Sequence, residues 1–294
     1  MTTELLRLPD GRQAQYWSGG DPDGPVVFFL HGCPDTRHAA YCGDVAARRT
    51  GVRLVAVNRP GYGLSTEVAS SHLSVADDVA AVADLLGVAR YGVLGMSIGG
   101  PYALACAARH PERVTAVGVV ASPAEVPSLD PPYHRDDLGD EQKGLFRALA
   151  RTKPRDAVEL IRPEFEAYVE KLAPGDPDDD ALAGRFCAGL GALDAEVAGR
   201  QTAAEVAAAT REALVNTAGY LRDAAISFRR WDFRPEVISC PVSLWYGELD
   251  ANASVRNGEW LAERIPGAES IVRPGEGHLG SLHNHWDEVL GRLG

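Results

Sequence analysis

The stretch Gly95-Met96-Ser97-Ile98-Gly99 decides the reading of this chain. It sets one serine between two glycines, in the pattern G-x-S-x-G. Tyr91-Gly92-Val93-Leu94 precedes it and reads as a strand. Pro101-Tyr102-Ala103-Leu104-Ala105-Cys106-Ala107-Ala108 follows it and reads as a helix. A strand that turns sharply into a helix forces the turn residue into strained backbone geometry. Small flanking residues let neighbouring backbone approach, and the serine hydroxyl is thrust out at the sheet edge. The new helix adds unpaired N–H groups that favour a developing negative charge. The five residues alone would also suit a Gly-rich turn with a bystander serine. The strand before and the helix after favour a nucleophile.

The alternation extends in both directions. Leu5 to Leu8 and Arg12 to Trp17, split by Pro9-Asp10-Gly11, predict a hairpin with a D-G turn. Val26 to Leu30, Leu54 to Val57, Val93-Leu94, Val114 to Val120, Val242 to Tyr246 and Ser270 to Val272 are short apolar runs. Such runs suit strands covered on both faces. Ala-rich stretches at His38 to Arg49, Val75 to Leu86 and Pro101 to His110 predict helices between them. The expected fold is therefore α/β, a mostly parallel sheet with helices on both faces. Its site should lie outside the carboxyl ends of the strands.

The alternation stops after Ala121-Ser122-Pro123. Helical patterns then run through Glu141 to Ala150, Asp156 to Leu172, Asp180 to Leu190 and Thr202 to Arg230, punctuated by Pro154, Pro174-Gly175 and Gly191. This predicts an inserted α-helical cap over residues 124–239, between core segments 1–123 and 240–294. Asp176 to Asp180 reads as a solvated loop and helix start, not a metal site.

The 294 residues fit one large α/β domain or a domain with a sizeable insertion. Apolar residues at 45% and charged residues at 24% are globular values. A net charge of −12 without a basic run argues against a nucleic-acid partner. No apolar segment approaches the roughly 18 residues that span a bilayer, so no membrane partner is expected. The opening Met1 to Arg7 lacks a basic-then-apolar pattern. Cys33, Cys42, Cys106, Cys187 and Cys240 form no close pair, as free thiols in a cytoplasmic protein would. The expected partner is a small-molecule substrate, and a homo-oligomer stays open.

A serine hydroxyl needs a base to take its proton, and a carboxylate must fix the tautomer of a histidine base. In such folds the chain order is serine, acid, histidine. Asp250 follows the run Val242 to Gly247, and His278 follows Ser270 to Val272 within Gly275-Glu276-Gly277-His278. Ser97, Asp250 and His278 each follow a different strand in that order. Glu125 and Asp130 are alternative acids. An oxyanion needs preorganised N–H donors. The Ile98 N–H, next to the serine, is one. The loop His31-Gly32-Cys33-Pro34 supplies the other through Cys33, because proline has no N–H. The Cys33 thiol has no evident basic partner and reads as packing. His31 reads mainly as a holder of that loop. The spacing of His278, His283 and His285 matches no familiar zinc motif. Candidate substrate contacts are His31, Asp35, Phe146, Phe165 and Trp231.

His31-Gly32, Asn58-Arg59-Pro60-Gly61-Tyr62-Gly63-Leu64-Ser65, Gly95 to Gly100, Gly247 to Asp250 and Gly275 to His278 together resemble the α/β-hydrolase superfamily. The resemblance runs from about Val26 to the C-terminal end. It implies an eight-stranded sheet, a Ser-His-Asp triad on Ser97, His278 and Asp250, and no cofactor. Many members carry Asp where Asn58 stands. Peptidase-type members usually carry a second glycine where Cys33 stands, which speaks against an iminopeptidase. The expected function is a serine hydrolase cleaving an ester or thioester of a small to medium, largely neutral and apolar substrate. A lyase, cyclase or C–C-cleaving enzyme with the same site is the alternative, and a ligand-sensing module with an intact triad is a second.

Overall fold

In the computed structural model, which describes residues 4–294, the expected hairpin is strands β1 (Glu4–Arg7) and β2 (Gln13–Gly20), paired antiparallel. The remaining strands are β3 (Val26–Leu30), β4 (Arg53–Val57), β5 (Tyr91–Met96), β6 (Val114–Val120), β7 (Val242–Gly247) and β8 (Glu269–Arg273). They form one eight-stranded sheet in the order β1-β2-β4-β3-β5-β6-β7-β8. All neighbours from β4 to β8 run parallel.

Both faces of this sheet are covered, which explains the continuous apolar runs. In β3, Val26, Phe28 and Leu30 enter one apolar cluster, while Val27 and Phe29 enter another. The first cluster packs under α2 (His72–Leu85) and α3 (Gly99–Arg109); the second packs under α1 (Asp44–Thr50) and the C-terminal Trp286, Val289 and Leu290. Alternation along a strand sends successive side chains to opposite faces. The segment His38 to Arg49, expected as one helix, divides into a 3-10 turn at Arg37–Gly43 and α1.

Between β6 and β7 the chain builds α4 (Asp140–Arg151), α5 (Pro154–Leu172), α6 (Asp179–Ala188), α7 (Ala192–Ala198), α8 (Ala203–Leu214) and α9 (Ala218–Ser227). The expected helix over Thr202 to Arg230 is α8 and α9, separated by Val215-Asn216-Thr217. Asn216 Oδ1 accepts the Ala218 N–H at 3.1 Å, an Asx turn in the break just ahead of α9. Phe165, Leu172, Leu214, Leu221 and Ala225 form a third apolar cluster inside this helical block. Three further helices follow, α10 (Arg256–Arg264), α11 (Gly280–His283) and α12 (Trp286–Gly291). Among the described residues, no helix is long and apolar enough to cross a membrane, and all five cysteines are free.

Candidate active site

Ser97 sits in the turn between β5 and α3 with φ of 52°, a left-handed value unusual for a residue with a side chain. Its N–H donates to the Val120 carbonyl at 2.9 Å, and its carbonyl accepts the Gly100 N–H at 2.9 Å. The flanking glycines are required by contact. A Cβ on Gly95 would lie 2.7 Å from Gly100 Cα, and one on Gly99 would run into the Leu30 carbonyl. Local strain and close backbone approach thus expose the hydroxyl at the carboxyl end of β5.

Asp250 follows β7 and His278 follows β8. Their loops are sewn together: Glu248 N–H donates to Arg273 O at 3.0 Å and Leu249 N–H to Glu276 O at 2.9 Å. His278 Nδ1–H donates to Asp250 Oδ2 at 2.8 Å. Burial disfavours the imidazolium. The Asp250 charge and hydrogen bond outweigh that, so His278 is more basic than an ordinary histidine. Asp194, on α7, holds the His278 loop by accepting the Leu279 N–H at 2.8 Å. Neither alternative acid meets His278. Glu125 instead accepts the Trp231 N–H at 2.8 Å, and the Asp130 carbonyl faces Arg256.

Ser97 and His278 open on one cavity of about 440 Å³. Ile98, Gly32, Cys33 and Asp35 line its floor, together with His134 and His283. Burial keeps both of those histidines neutral, at pKa values of about 4. Neither the Ile98 N–H nor the Cys33 N–H donates to another group among the described residues. Burial pushes the Cys33 thiol up to about 12, so it is no thiolate. The helical block supplies the opposite wall through Tyr168, Phe186, Val206, Tyr220 and Phe228. Asp35 is raised to about 6 by burial.

Four expected substrate contacts do not reach the cavity. His31 is fully buried beneath it. Phe146 stands behind Phe228, with ring centroids 4.4 Å apart, and Phe165 stands behind Tyr220 at 3.9 Å. Trp231 leaves the helical block altogether. It stacks on Phe233 at 4.9 Å and joins the core of the sheet domain. Large aromatics near a helical insertion thus serve its packing or its return to the sheet.

The structure adds two charged clusters. Glu212 of α8 accepts from Arg37 at 2.7 Å, His38 at 3.2 Å and Asn58 at 2.9 Å. Burial opposes its ionisation, but these partners hold it at about 2. Asp223 of α9 pairs with Arg59, both fully buried, at 2.7 Å. An acid inside the buried face Leu221-Asp223-Ala224-Ala225 is the one sequence signal for such a pair.

A model of the alpha/beta hydrolase fold matches residues 25–284. The pimeloyl-[acyl-carrier protein] methyl ester esterase of Chromobacterium violaceum is 30% identical over 277 residues, covering 90% of this chain and 92% of that protein. A proline iminopeptidase of Neisseria meningitidis is 27% identical over 205 residues, covering 60% of this chain and 66% of that one. Among solved structures, a bromoperoxidase from Bacillus anthracis superposes with a TM-score of 0.69 at 18% identity, covering 98% of each chain, which speaks to the fold alone. The chain belongs to the α/β-hydrolase family and is a hydrolase enzyme.

Proposed function

We propose that the chain is a serine esterase that works through an acyl-enzyme. Ser97 attacks the ester carbonyl while His278 Nε2 takes its proton. Asp250 keeps the His278 proton on Nδ1 and stabilises the imidazolium. The Ile98 and Cys33 N–H groups receive the oxyanion. His278 then protonates the leaving alcohol, and a water deprotonated by the same imidazole releases the acid. The observation that carries the reading is the 2.8 Å bond from His278 Nδ1 to Asp250, with Nε2 left for the cavity that Ser97 shares.

The substrate we infer is an ester or thioester of small to medium size, largely neutral and apolar. A cavity of about 440 Å³ with Phe186, Val206 and Phe228 in its wall supports that class. The methyl ester esterase relative supports an ester over an amide. The test combines a fluorophosphonate probe with p-nitrophenyl esters of graded acyl length. The probe should label Ser97, fail on Ser97→Ala and label His278→Ala slowly, while wild type turns over at least one ester repeatedly. Labelling of Cys33, or single-shot capture without turnover, overturns the proposal.

A further inference from the structure

We infer that Arg59, held by Asp223, is a positioning residue that orients and polarises the Gly32–Cys33 peptide, whose N–H faces the oxyanion. The inference rests on the serine-esterase reading above.

That peptide has two ends with different partners. Its N–H, on Cys33, donates to nothing among the described residues. Its carbonyl, on Gly32, accepts from Arg59 Nη2 at 3.1 Å and contacts His31 Nδ1 at 2.9 Å. The tautomer of His31 follows from its other nitrogen, since Nε2 accepts the Arg59 backbone N–H at 3.2 Å. Nδ1 therefore carries the hydrogen and donates to Gly32. A guanidinium and an imidazole thus pull electron density toward one carbonyl. Hydrogen bonds in series reinforce one another, more so in a site shielded from water. The Cys33 N–H becomes a stronger donor. The peptide also lies against the nucleophile, because a Cβ on Gly32 would sit 3.3 Å from Ser97 Cβ.

Arg59 reaches this position only because its charge is matched. Asp223 Oδ2 accepts from Arg59 Nε at 2.9 Å and from Tyr62 OH at 3.0 Å. Its Oδ1 accepts from Tyr102 OH at 2.7 Å and Arg222 Nη2 at 2.8 Å. Arg59 Nη1 donates to the His31 carbonyl as well. The fork of the guanidinium spans the acid on one side and two loop carbonyls on the other, which an ammonium cannot do. Asp223 belongs to α9, the helix that presents Tyr220 to the cavity. The helix that touches substrate is thereby tied to the donor that receives the oxyanion.

The test uses the full chain, its best ester and a trifluoromethyl ketone of the same acyl group. The ketone forms a hemiketal whose oxyanion needs the same donors. In Asp223→Asn and Arg59→Lys, kcat should fall roughly tenfold or more, and ketone affinity by the same factor. KM should stay within about twofold. A cluster that merely docks α9 would lower Tm yet leave kcat and ketone affinity at wild-type values, which overturns the inference. Isotope-labelled cysteine in the wild-type enzyme reads the donor directly, with Cys33→Ala assigning the signal. The Cys33 amide proton should move downfield when the ketone binds; an unmoved signal overturns the inference even where both variants fail to fold. Ser97→Ala separates the two levels. Retained turnover there sinks the esterase reading, whereas a dead Ser97→Ala beside normal Arg59 and Asp223 variants sinks only this inference.

Discussion

Asp250 gives His278 only one of its two carboxylate oxygens. Oδ2 takes the ring Nδ1 at 2.8 Å, while Oδ1 accepts the backbone N–H groups of Asn252 at 2.7 Å and Ala253 at 3.0 Å. In Asp250→Asn the amide oxygen must stay with the two backbone donors. Its NH₂ then faces His278 and forces the ring proton onto Nε2, where it blocks the base. Ester turnover should fall by roughly 10⁴ with the fold intact. An assay within about tenfold of wild type would refute the assignment of Asp250.

The same pair fixes a pH dependence. His278 titrates above the ordinary 6.5, because the Asp250 charge and hydrogen bond outweigh burial. A charged imidazole cannot take the serine proton, so kcat/KM should be lost as pH falls through that raised value. In Asp250→Asn burial is opposed only by the more modest effect of the Asp194 charge. The acid limb of the residual activity should therefore move to lower pH. A limb that stays in place would show that another group sets it.

Ser97 occupies its left-handed turn, φ 52°, at a cost in stability. Glycine adopts that conformation freely. Ser97→Gly should abolish turnover and recover part of roughly 1–3 kcal/mol of strain. Thermal unfolding should show a Tm gain of about 2–4 °C per kcal/mol recovered. A lowered Tm would mean that the hydroxyl stabilises the fold more than the turn strains it.

Asp35 is raised from 3.8 to about 6 by burial. A carboxyl shifted upward contributes stability fully present below its unfolded pKa and lost as pH rises through its folded one. Asp35→Asn should therefore raise Tm relative to wild type at about pH 8 and make little difference near pH 4. Equal effects at both pH values would point to the Thr36 N–H bond that Asp35 accepts, and not to its charge.

The aromatics separate into wall and support. Phe228 lines the cavity, whereas Trp231 is packed against Phe233 in the sheet-domain core. Phe228→Ala should shift the ranking of esters toward longer acyl groups. Trp231→Ala should cost roughly 3–5 kcal/mol of stability and leave the ranking alone. Competition assays with paired esters, alongside denaturant unfolding, measure both. A Trp231 variant with a changed ranking would contradict this division.

The reach of the sequence follows the same physical line. Strands covered on both faces announce themselves as unbroken apolar runs, so β3 and β7 are visible within a residue of their ends. Ser97, Asp250 and His278 are visible because each stands just past such a run. The helical block is harder. Ala-rich sequence continues through α8 and α9, and the break between them is marked by a single Asx turn at Asn216. Helix α7 is short and hidden after Gly191, although its Asp194 holds the His278 loop. Arg59 is visible as part of a motif, but its partner lies 164 positions away on another element. The only local trace of such a pairing is the acid set within the buried face of α9, and it does not name its partner.

The Arg59–Asp223 pair also bears on exchange of parts between relatives. Ser97, Asp250 and His278 all lie outside the helices that line the far side of the cavity, so those helices invite transplantation as a cassette. A cassette without an acid at the place of Asp223 would strand a fully buried guanidinium. Removing one partner of such a pair costs about 3–5 kcal/mol, a large fraction of the stability of a domain. Chimaeras of this hydrolase would thus be sorted by a single carboxylate before any difference in substrate pocket came into play.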